Sequence, residues 1–66
     1  MENNVLKYRK KHRLTQATLA LKLGVTRQTI ISIENGKYQA SLALALKIAK
    51  EFNVPVEKLF TLKEDD

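Results

Sequence analysis

The 66-residue chain has no cysteine, which removes disulfides and thiolate metal sites as staples and suits a reducing cytoplasm. It has only two glycines, too few for a phosphate-binding or dinucleotide-binding loop. His12 is the only histidine; with no cysteine beside it, a zinc site of the usual kind is excluded, and it reads as an exposed loop residue. No apolar run approaches the roughly 20 residues of a membrane span. The polar start, Met1–Asn4, lacks the basic and apolar regions of a signal peptide. No paired carboxylates or Ser/His/Asp arrangement suggest a reaction, so no enzyme, metal, cofactor or small-molecule ligand is expected. At this length one domain with one small core is expected to make up the whole protein. Such a chain buries only about 60% of its unfolded surface, which favours compact helix packing or association between copies.

Charge is what the chain has in excess. Twelve Lys and Arg against seven Asp and Glu give a net charge of +5. Moderate basicity fits a polyanionic partner but says little alone. Its distribution says more: Lys7, Arg9, Lys10, Lys11 and Arg13 crowd the first helix and its exit, while Glu64, Asp65 and Asp66 end the chain. At least half of these cations read as a solvated helix face.

The most organised stretch is Thr15–Gly36, TQATLALKLGVTRQTIISIENG. Thr15 can cap a first helix, and Leu19, Ala20 and Leu23 make an apolar stripe at helical spacing. Gly24 suits a left-handed helix end, Val25 can plug the corner, and Thr26 can cap a second helix running to Asn35. At about 100° per residue, Ile30 and Ile33 share one side of that second helix, with Thr29 beside them. Arg27, Gln28, Ile31, Ser32 and Asn35 cluster on the other side. Those groups match base edges in a major groove: Arg suits guanine, Gln and Asn suit adenine, and an apolar group suits the thymine methyl. For Ile31 a tolerated exposed side chain is an equal alternative. Two helices joined by a short Gly-containing turn, the second so equipped, form a helix-turn-helix.

The run LTQATLALKLGVTRQTIISIENGKY closely resembles the Xre (Cro/cI-type, phage-repressor-like) family, whose pattern is L-[ST]-Q-x-x-L-A-x-x-x-G-V-[ST]-x-x-x-I-x-x-[IW]-E-x-G. Leu14, Thr15, Gln16, Leu19, Ala20, Gly24, Val25, Thr26, Ile30, Ile33, Glu34 and Gly36 match it. SLALALKIAKEFNVPVEKLF resembles the family's fourth and fifth helices, and the chain is most similar to its short dimeric members. The resemblance implies an all-α, five-helix DNA-binding domain. It also implies an ion pair between Arg9 and Glu34, for which a forked guanidinium is well suited; the alternative for Arg9 is a phosphate contact. Gln16, at the positive end of its helix, is implied to clamp a phosphate. Thr26, Lys37 and Tyr38 join it beside the DNA backbone, Thr26 also serving as a cap. The family usually has Pro where Ala40 stands, so this loop is less rigid here.

In the remainder, Val5–Lys11 forms the first helix, with Val5, Leu6 and Tyr8 turned inward and Asn3 or Asn4 as cap. Ser41 caps a fourth helix to Phe52, with Leu42, Ala45, Ile48, Ala49 and Phe52 as its buried stripe. Asn53 ends it, and Pro55 starts a short fifth helix carrying Val56, Leu59 and Phe60. Leu21, Leu44 and Leu62 lie off these stripes. Together with Phe60 these three are the candidates for a subunit interface, Leu44, Phe60 and Leu62 foremost, with scattered tolerated leucines as the alternative. Thr61-Leu62-Lys63 can extend as a short terminal strand.

The expectation is therefore a cytoplasmic, nucleoid-associated regulator. It binds a double-stranded operator as a homodimer and represses by occupying a promoter. An antitoxin on the same fold, or a protein-interaction module that reads no sequence, are the alternatives from other classes.

Overall fold

The computed structural model describes residues 2–37 and 40–61. Within them, strand β1 (Glu2–Asn3) precedes helices α1 (Val5–Lys11), α2 (Gln16–Leu23), α3 (Arg27–Glu34), α4 (Leu42–Phe52) and α5 (Val56–Leu59), and strand β2 (Phe60–Thr61) follows. Tyr38 and Leu62 lie outside the described residues.

Local chemistry sets most boundaries. The hydroxyls of Thr15, Thr26 and Ser41 accept the backbone N–H three residues on, from Thr18, Thr29 and Leu44 at 3.0, 3.3 and 3.2 Å, satisfying one orphan donor at each helix start. Gly24 ends α2 in the left-handed conformation at φ +73°, with its N–H turned back to the carbonyls of Ala20 and Leu21. A side chain here would carry a cost of about 1–2 kcal/mol. Asn53 closes α4 in the same conformation, which Asn adopts more readily than most residues.

Val5, Leu19, Ile30, Ile33, Ile48 and Leu59 are completely buried. Every helix thus sends at least one branched side chain to a common centre. Burial of each contributes roughly 1.5–3 kcal/mol. Tyr8, Val25 and Phe60 are only partly buried and pack against this core from its margin.

Two helix faces depart from the sequence reading. On α4, Leu44 is buried at 7% exposure and joins the core, whereas Leu42 is 74% exposed. Leu44 therefore does not present the free surface that an interface residue needs. Ala45, Ile48, Ala49 and Phe52 define the middle of the buried arc, and at about 100° per residue Leu42 and Leu44 fall on its opposite flanks. Helices α1, α2 and α5 pack against α4, and Leu44 lies within the core cluster. On α1, Leu6 is 40% exposed while Val5 fills the core.

The ends of the described chain meet. β1 and β2 pair antiparallel, Glu2 opposite Thr61 and Asn3 opposite Phe60, and the Asn4 N–H donates to the Leu59 carbonyl at 2.7 Å. Phe60 thus belongs to a strand and not to α5, and the terminal strand begins one residue before the position expected for it.

Candidate nucleic-acid interface

Among the described residues α2 and α3 make the most extensive helix–helix contact, joined at Gly24 and Val25. Ile30 and Ile33 anchor the inner side of α3 in the core. Arg27, Gln28 and Asn35 are exposed on its outer side, with Ile31 and Ser32 half-buried among them. The five predicted base-reading side chains therefore share one accessible face. Gln28 Nε2 lies 3.4 Å from Ser32 Oγ, a weak bond one turn apart that steers the carboxamide without occupying all of its donors and acceptors. Thr26 caps α3, and its hydroxyl also shares a 3.0 Å hydrogen bond with that of Thr29.

The C-terminal turn of α3 is held by a buried ionic cluster. Arg9 Nε donates to Glu34 Oε2 at 2.6 Å and Nη2 to Oε1 at 3.2 Å, while Nη1 donates to the Leu14 carbonyl at 2.9 Å. The fork thus grips a carboxylate and the entry to α2 together. The two side chains retain 11% and 5% exposure, which makes them structural partners. Gln16 Nε2 also donates to Glu34 Oε1, at 3.1 Å. The family resemblance assigned Gln16 to the DNA backbone alone, so this second bond is missed by sequence reasoning. Gln16 and Glu34 stand 18 positions apart, so no local pattern signals the contact. One amide hydrogen of Gln16 is left for another acceptor.

Beside this cluster lies an open cleft lined by Arg9, Arg13, Leu14, Thr15, Gln16, Ala17 and Arg27. It sits where the N–H groups of the first turn of α2 emerge and where the partial positive charge of that helix end is greatest. Lys37 is exposed just past α3, its N–H donating to the Ser32 carbonyl at 3.1 Å. No group of three His, Cys, Asp or Glu that could hold a metal occurs among the described residues, and none of their helices is long and apolar enough to cross a membrane.

A capped helix, a glycine corner and a second capped helix with a polar outer face define a helix-turn-helix DNA-binding unit. Residues 5–59 match the sequence profile of the helix-turn-helix family, and the chain belongs to that family, in its Xre (Cro/cI-type) branch. It is 56% identical, over the full length of both, to an uncharacterised HTH-type transcriptional regulator of Methanocaldococcus jannaschii. The regulator YgzD of Bacillus subtilis is 44% identical over the full length of both chains. Among solved structures, the restriction-modification controller protein C.AhdI of Aeromonas hydrophila superposes with a TM-score of 0.78 at 30% identity, over 86% of each chain. The protein is a DNA-binding transcriptional regulator.

Proposed function

We propose that the protein is a sequence-specific repressor that sits as a homodimer on a two-fold-related operator in the cytoplasm, one α3 in each of two successive major grooves. The observation that carries this reading is the outer face of α3, where Arg27, Gln28, Ile31, Ser32 and Asn35 stand together over a fully buried Ile30 and Ile33. Arg27 and Gln28 enter first, as the N-terminal residues of a recognition helix do. Gln16, Thr26, Lys37 and Tyr38 bear on phosphates, joined by Arg13 in the cleft at the start of α2. Half-sites about 34 Å apart suit a body of 32 × 22 × 20 Å, since two copies then stand side by side.

The homodimer has a candidate surface that differs from the one expected. Leu42 and Leu46, one turn apart on α4, are 74% and 52% exposed, and a second copy would remove them from water, with Phe60 available at the margin. Leu46→Lys should convert a sedimenting dimer to monomer while leaving thermal unfolding of the monomer nearly unchanged. Unaltered sedimentation would place the contact elsewhere.

Titration of a selected duplex and a scrambled one across a range of salt concentrations tests the reading as a whole. A sequence reader keeps a preference of about 10³ or more for the selected duplex; equal binding to both would overturn the proposal. In the same titration Lys37→Ala should weaken every duplex alike and lower the salt slope by about one unit. A loss confined to the selected duplex would make Lys37 a base contact instead.

A further inference from the structure

Asn3 and Asn4 form a double clip on helix ends. Asn4 Nδ2 donates to the Lys58 carbonyl in α5 at 3.0 Å. Asn3 uses both ends of its carboxamide. Its Oδ1 accepts the Val5 N–H at 3.2 Å, starting α1, and its Nδ2 donates to the Ile33 carbonyl in the last turn of α3 at 2.7 Å. That carbonyl already accepts the Gly36 N–H at 3.0 Å, so the helix end does not need Asn3 for its hydrogen bonding. What the bond adds is position.

The next residue along α3, Glu34, is tied to Arg9 of α1. Ile30 and Ile33 seat α3 in the core, and Arg9 and Gln16 hold its end through the Glu34 side chain. Asn3 adds a hold on the backbone itself, which trims the tilt. The N-terminal end of α3 is held separately, by the turn from α2. Base-edge hydrogen bonds tolerate only a few tenths of an ångström.

We propose that Asn3 is a positioning residue for sequence reading: its bond to Ile33 sets the angle at which the C-terminal half of α3, with Ser32 and Asn35, meets the base pairs. The inference rests on α3 being the reading helix.

Asn3→Asp breaks the bond, because aspartate keeps the acceptor for Val5 and sets an anionic oxygen against the Ile33 carbonyl in place of the donor; Asn3→Ser loses that donor without adding charge. Asn4→Asp is the control, losing the equivalent bond to α5. Binding of both variants and the native protein to the selected duplex, its single base-pair substitutions and a scrambled duplex should be compared alongside thermal unfolding. Asn3→Asp is expected to lower the selected-to-scrambled ratio roughly tenfold, about what one mismatched base pair removes. The loss should concentrate at the base pairs whose preference is also lost in Asn35→Ala, with scrambled binding changed no more than in Asn4→Asp, which adds the same charge. Asn4→Asp is expected to alter unfolding and leave the selected-to-scrambled ratio unchanged. An unchanged ratio in folded Asn3→Asp, or an equal drop in Asn4→Asp, overturns the inference. If Asn3→Asp does not fold at the assay temperature, Asn3→Ser keeps an acceptor for Val5 and is judged by the same outcomes. A native protein without preference would instead overturn the DNA-reading proposal itself.

Discussion

Replacing Arg9 with alanine should lower the stability of the fold by about 3 kcal/mol, the low end of what removing one member of a buried ion pair costs. The alanine leaves the Glu34 carboxylate facing Gln16 alone, with little water to replace the guanidinium. It also leaves the Leu14 carbonyl without its 2.9 Å donor. For a domain of this size each kcal/mol moves the midpoint by roughly 4–8 °C, so circular dichroism should show a fall of about 12–24 °C. Removing both charges in Arg9→Ala/Glu34→Ala should cost less than the sum of the single changes, because no charge is left buried and unpaired. A fall of less than about 4 °C in the single variant would mean that the guanidinium contributes little to holding α1 against α3.

Gln28→Ala should act on recognition and not on folding. Gln28 is exposed, and its one side-chain partner among the described residues is Ser32, at a weak 3.4 Å, so unfolding should be unchanged. Against the preferred duplex, loss of a bidentate carboxamide should cost about 1–3 kcal/mol and relax preference at one base pair. Binding to scrambled DNA should be unaffected. Equal losses on every sequence would instead assign Gln28 to the phosphates.

The features legible in the sequence are those decided within a few residues. Thr15, Gly24 and Thr26 fix the corner between α2 and α3 by capping and by a left-handed turn, and the partition of α3 into two faces follows from helical period. The Arg9–Glu34 contact spans 25 positions; it was anticipated from family resemblance, since spacing alone cannot show it. The edge of the α4 stripe was not legible. Leu42 and Leu44 are chemically identical and flank the arc symmetrically, so only the neighbours that cover one flank decide between them. β1 gave no signal either. Two polar residues carry no periodicity, and their pairing depends on where α5 delivers Phe60. Gln16 illustrates a third limit, because one amide can serve both a buried carboxylate and an external anion.

The ribbon of β1 and β2 also has a bearing on motion. It closes the largest loop in the described chain with a ladder just two residues deep, whereas the contact of α2 with α3 joins near neighbours. Loop closure of that length is slow and gives little in return, so the ribbon should assemble last and fray first. Amide hydrogens at Asn3 and Asn4 should then exchange with deuterium well before those of Leu19 or Ile30. Each breathing event at the ends would briefly untie the Asn3 hold on α3, leaving the corner with α2 intact.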